Sequence, residues 1–187
     1  RLVHKNSYLV PESAFHPLIL ARLAAHDLEG PAPEPFDRAT NEALSDEQRS
    51  EIAAFKLLEE EAFDPALRSN GAVVRKEDGL MLHIRRGSPE YFFEQGLVHR
   101  EQVGGWLADE ERAGRRVLGV SYDDGSGARF GGFVSFVDTL KDTTIETIAA
   151  ARKLNVAVTI ITGDALMVAE AVGREAGLVT GSDEVMK

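Results

Sequence analysis

The sequence predicts an α+β protein: an antiparallel sheet with helices packed on it, followed by a piece of an α/β parallel sheet. Three observations predict it. Two largely apolar runs, Ala72–Arg75 and Leu80–Ile84, flank Glu77-Asp78-Gly79, a hairpin signal because glycine takes the positive φ such turns need. Segments with helical apolar spacing lie on both sides of that hairpin. Beyond Gly132, two continuous apolar runs, 132–137 and 156–161, alternate with helical segments, the pattern of parallel strands covered on both faces.

Each element follows in order. The first third reads as helical. Leu18, Leu20, Ala21, Leu23, Ala24 and Leu28 form a stripe closed by Gly30 and the loop Pro31-Ala32-Pro33-Glu34-Pro35. Ser45 with Gln48 three residues on is a capping box, opening a helix to about Leu58. After the hairpin come a helix from about Arg100 to Ala113, a strand over Arg116–Tyr122, the turn Asp123–Gly127 and a strand around 130–137. Thr143 and Glu146 make a second capping box, ahead of a helix carrying Ile145, Ile148, Ala149 and Leu154. Val156–Ile161 reads as a strand, and Ala165–Ala176 as a helix stopped by Gly177. Two parallel strands do not complete a doubly wound domain, so the last stretch reads as part of one.

Composition narrows the function. Among 187 residues, 31 Asp and Glu against 21 Lys and Arg leave a net charge of −10. That balance argues against nucleic acid or anionic lipid as the main partner. With no cysteine, disulfides, thiolate metal sites and cysteine nucleophiles are excluded. No apolar run approaches the ~18–20 residues of a membrane span, and Arg1-Leu2-Val3-His4-Lys5 is not a secretory signal. The expectation is a soluble chain from a reducing compartment. His4, His16, His26, His83 and His99 show no metal-ligand spacing, and no Ser–His–Asp arrangement stands out.

Several short stretches carry chemistry, each beside a plainer reading. Thr162-Gly163-Asp164 follows a strand and precedes a helix, where phosphate binds readily, yet Asp164 could simply cap that helix. Asp138-Thr139-Leu140-Lys141 takes the equivalent place after the first strand, as a phosphoryl-holding pair or a solvated loop. Arg85-Arg86-Gly87-Ser88-Pro89-Glu90 is either a phosphate-facing corner, where glycine admits a ligand, or a strand-to-helix turn. Phe63, five residues ahead of Arg68, could stack on a nucleobase or sit in the core. Asp37 could cap a short helix, and Arg116 could be an edge charge.

The joint order is more specific than any one stretch. It runs Phe36-Asp37-x-Ala39, Phe63 with Arg68, Arg86-Gly87-Ser88-Pro89-Glu90, Arg116-Val117-Leu118, Asp138-Thr139-Leu140-Lys141, and Thr162-Gly163-Asp164. This resembles the ATP-handling region of P-type cation-transporting ATPases, over essentially the whole chain. The resemblance implies a nucleotide-binding domain over residues 1–131, a twisted antiparallel sheet flanked by helices. It further implies part of a phosphorylation domain over 132–187, Rossmann-like and of the haloacid dehalogenase type. Phe63 would stack on adenine, and Asp37 would bind the base or a neighbouring basic side chain. Arg68, Arg86 and Gly87 would line the ATP pocket, and Arg116 would reach the phosphates. Thr162 and Gly163 would hold the transferring phosphoryl, with Asp138 and Asp164 ordering the loops around it.

Departures from the family pattern are Arg86 for lysine, Ser88 for alanine, and Thr139 and Leu140 for the two prolines. The family's Asp-Lys-Thr-Gly-Thr and Gly-Asp-Gly-x-Asn-Asp sequences do not occur in these 187 residues. The resemblance places Arg1 just after the former and Lys187 ahead of the latter. It therefore implies that the chain binds ATP or ADP, with Mg²⁺ carried by the nucleotide. No phosphoenzyme would form on it, since the nucleophile and metal that phosphoryl transfer needs lie elsewhere. Its partners would be the rest of the phosphorylation domain, the actuator domain and the membrane domain of a parent pump, on the cytoplasmic side. Unpaired strands make self-association an expectation. The transported ion stays open. The rival readings are a haloacid dehalogenase-type phosphatase, for which Asp123-Asp124 is adjacent rather than alternating, and a non-enzymatic nucleotide-binding module.

Overall fold

A computed structural model of the chain describes residues 1–25, 28, 34–140, 143–161 and 166–179, with 166–168 described by their backbone alone. Its centre is a six-stranded sheet built from β1 (Leu2–Leu9), β2 (Phe55–Asp64), β3 (Ser69–Lys76), β4 (Met81–Gly87), β5 (Arg116–Asp123) and β6 (Arg129–Asp138). The strand order is β1-β6-β5-β4-β3-β2, and every pairing is antiparallel. Strands β2 to β6 form a meander, and β1 closes the far edge with Leu2 opposite Asp138. Gly79 carries the β3–β4 turn at φ 95°, as its sequence signal requires.

Side chains alternate across this sheet, giving two cores. On one face Leu82, Ile84, Val120, Tyr122, Val134 and Phe136 pack under α1 (Pro17–Leu23) and α2 (Pro35–Ala43). The other face buries Phe133 with Phe92 of α4 (Pro89–Glu94) and Val103 and Leu107 of α5 (Arg100–Arg112). Helix α3 (Asp46–Ala53) leads into β2, and α6 (Thr144–Lys153) and α7 (Leu166–Glu175) follow the sheet. The Ser45–Gln48 capping box forms, with Gln48 N donating to Ser45 Oγ at 3.2 Å and Ser45 N to Gln48 Oε1 at 3.0 Å.

Several expectations are corrected. The first third is not all helical: it contains β1 and the start of β2. The helix expected to reach Leu58 ends at Ala53, because Leu57 and Glu59–Glu61 pair with β3. That stretch has ample helix formers, and ladder pairing overrides propensity at a charged edge strand. The stripe expected to run to Leu28 is helical only to Leu23, capped at Ala24. Residues 132–137 are not a parallel strand but the second half of β6, antiparallel to β1 and β5. The expected join at 131 and 132 thus falls inside a strand, where apolar continuity reflects burial on both faces by helices and not parallel pairing. Residues 156–161 form no strand, and Thr143 makes no side-chain cap bond, its φ −81° and ψ −7° being already helical.

Candidate functional site

Antiparallel strands alternately end and begin at one end of the sheet. Phe63, Arg68, Gly87, Arg116 and Asp138 all fall at that end for this reason. Between the end of β2, the start of β3 and the first turn of α2 lies a cleft of about 480 Å³, a size suited to a small-molecule ligand. Asp37, Phe63, Arg68, Arg86 and Gly87 line it. Arg116 does not: its strand contributes Leu118, two residues on, to the cleft wall instead.

At the centre is a buried ion pair. Asp37 sits in the first turn of α2 and is 2% exposed, and Arg86 at the end of β4 is 9% exposed. Arg86 Nη1 donates to Asp37 Oδ1 and to the carbonyl of Ala21 at 3.2 Å, while its Nε donates to Asn70 Oδ1 at 3.1 Å. Asn70 Nδ2 in turn donates to the carbonyl of Ala24 at 2.7 Å. Ala21 and Ala24 lie at the C-terminal end of α1, where carbonyls lack helical partners and the dipole favours a cation. The guanidinium thereby joins α1, α2, β3 and β4 in one network. The five donors of arginine suit this better than a lysine ammonium would.

Phe63 lies at the rim, 61% exposed, beside a bulge of β2 between Glu61 and Asp64. It is not a core residue. Phe36, the other aromatic of the cleft, instead packs edge-on against Phe136 with centroids 5.3 Å apart. Arg68 occupies the turn into β3 at φ 54°, and its guanidinium faces Glu94 at 3.0 Å and Glu90 at 3.9 Å on α4. Gly87 has a reason other than ligand approach: a Cβ there would lie 2.7 Å from both the Arg68 carbonyl and Ser69 Cβ. Glycine is needed for β4 to lie against the start of β3.

The cleft wall carries four carboxylates, Glu34, Asp37, Glu60 and Glu61, against Arg68 and Arg86. Arg85, behind Glu61, pairs with that carboxylate. Asp138 accepts a hydrogen bond from the Arg1 main-chain amine at 3.1 Å and does not line the cleft. Thr162, Gly163 and Asp164 lie outside the described residues. Among the described residues, no three or more histidines and carboxylates are grouped to hold a metal ion.

Sequence reasoning missed Asn70, Glu60, Glu61 and Leu118. Asn70 carried a signal: it shares the phase of inward-facing Ala72 and Val74, so a polar residue there needs buried partners. The glutamates carried none, because β2 itself was unrecognised.

No family model matches the chain. It is similar to the plasma membrane ATPase of Kluyveromyces lactis, 29% identical over 157 residues, covering 79% of this chain and 18% of that protein. Plasma membrane ATPase 1 of Saccharomyces cerevisiae is 30% identical over 138 residues, 69% of this chain and 15% of that protein. A copper-exporting P-type ATPase of Bacillus subtilis is 38% identical over 95 residues, 48% of this chain and 11% of that protein. The chain thus spans less than a fifth of the length of these relatives.

Proposed function

The chain belongs to the P-type ATPases, and from that premise we propose that it is the part that captures ATP, in the cleft between β2, β3, β4 and α2. One observation carries the reading: Phe63 stands exposed at the rim of a hollow that Arg86 and Asp37 also border. An exposed aromatic ring is ready to bury its face against a nucleobase, and such stacking is worth about 1–3 kcal/mol.

In this reading the adenine lies on Phe63, and Arg68 meets the phosphates. Gly87 and the Arg86–Asp37–Asn70 network shape the floor without moving. Arg116 and Asp138, at the same end of the sheet, would face the phosphate chain once another domain closes on it, together with Thr162, Gly163 and Asp164. Mg²⁺ would enter with the nucleotide and neutralise phosphate charge, held by the phosphates rather than by the cleft. The chain's own residues bind and orient. The phosphorylated aspartate, the metal loop, the actuator domain and the membrane domain would belong to the rest of a cation-transporting pump, with this part on the cytoplasmic side. Among the described residues, no helix is long and apolar enough to cross a membrane. Residues beyond β6 would contribute part of the haloacid dehalogenase-type phosphorylation domain.

Calorimetric titration with ATP tests this. Phe63→Ala is expected to weaken binding by about 5- to 150-fold, the stacking energy expressed as affinity. Unchanged affinity in that variant, or no binding by the unaltered chain, would remove the proposal. The 187 residues alone are expected to release no phosphate from ATP.

A further inference from the structure

We infer that Glu94, which does not line the cleft, sets the cleft's affinity for phosphate-bearing ligands by holding Arg68 away from them. The inference rests on the nucleotide reading above. Among the described residues, the cleft has two lining cations, Arg68 and Arg86. Arg86 cannot turn to a ligand: it is buried with Asp37, and withdrawing it would strand that carboxylate in the interior.

Arg68 differs in each respect. Its side chain is 44% exposed, and its partners Glu94 and Glu90 are 66% and 43% exposed. The two glutamates are one helical turn apart on α4, so both face the same guanidinium. The stem of Arg68 is fixed while its head is not. Its backbone holds φ 54°, and its carbonyl accepts the Ser88 amide at 3.0 Å. The long side chain can therefore exchange partners without disturbing the strand.

An exposed ion pair is weak, and a guanidinium–phosphate bond is charge-assisted and bidentate. A phosphate in the cleft would win Arg68, at the expense of breaking the pair with Glu94. A nucleoside without phosphate pays nothing of the kind. Glu94 thus opposes the nucleotide and is indifferent to the nucleoside.

The test titrates ATP and adenosine into the unaltered chain, Glu94→Gln, Arg68→Ala and the double variant. Glu94→Gln is expected to tighten ATP about 1.4- to 5-fold, the range for an exposed pair, with adenosine unchanged. Arg68→Ala should weaken ATP alone, and in the double variant the Glu94→Gln gain should vanish. ATP binding that Glu94→Gln leaves unmoved overturns this inference alone. So does a gain that persists without Arg68, which would be a general charge effect. Failure of the unaltered chain to bind either ligand overturns the nucleotide reading and this inference with it.

Discussion

At the scale of single residues, the Arg86–Asp37 pair separates holding the fold from holding a ligand. Its burial makes it costly to break from one side: Asp37→Ala leaves the guanidinium interior and uncompensated, an expected loss of about 3–5 kcal/mol in denaturant unfolding. Replacing both, as Asp37→Ala with Arg86→Met, should recover part of that loss, since no bare charge remains. If the double variant is no more stable than the single one, the loss comes from the missing network contacts and not from a bare buried charge. Of the cleft, Asp37, Phe63, Arg68, Arg86 and Gly87 were legible in the sequence, because each sits in a short stretch with family-like order. For Asn70 the strand phase signalled burial alone, since its importance comes from the Arg86 Nε and Ala24 carbonyl it bridges, groups 16 and 46 residues away.

At the scale of elements, α1 depends on an imidazole. Its N-cap is His16, whose Nδ1 accepts the Leu18 amide at 3.1 Å, with Pro17 in the first helical position. Burial lowers the His16 pKa, and burial is also the main cause lowering that of His4, which packs edge-on against Phe136. For each, the folded state favours the neutral ring. The unfolded chain therefore binds more protons, and stability rises with pH across the window below the ordinary histidine value of 6.5. The melting temperature is expected to fall as pH drops from 7 through 6.5 towards 5. His16→Asn, which keeps a capping acceptor without a titrating ring, should flatten that fall. A slope unchanged in His16→Asn would assign it to other groups. Glu110 gives a slope of the same sign in a lower pH window. Burial raises its pKa, but hydrogen bonds from Ser135, Asn6 and Arg115, with the Arg115 charge, outweigh burial and hold it low. Its contribution is kept above the ordinary carboxylate range and is lost only as pH falls through and below it.

At the scale of the molecule, β6 decides the arrangement. It pairs with β1 on one side and β5 on the other, and its last residue, Asp138, lies opposite Leu2. The next residue still bonds to the first, with Thr139 N donating to the Arg1 carbonyl at 2.8 Å. A chain ending after Thr139 should therefore keep the sheet, the cleft and the proposed Phe63-dependent ATP binding, with a melting temperature within a few degrees of the whole. Loss of cooperative unfolding in that shortened chain would show that α6 and α7 are needed to complete the core.

The sequence by itself determined the helix–sheet class, the Gly79 hairpin, α5, β5 and the Ser45 cap. These rest on local signals: a turn glycine, a capping pair, a period of apolar residues. Only the tertiary structure decided that Phe55–Asp64 is a strand, that residues 132–137 run antiparallel, and that Arg86 is buried against Asp37 while Arg68 faces solvent and α4. Strand pairing and burial depend on partners far along the chain, and two arginines of identical chemistry differ only by what encloses them.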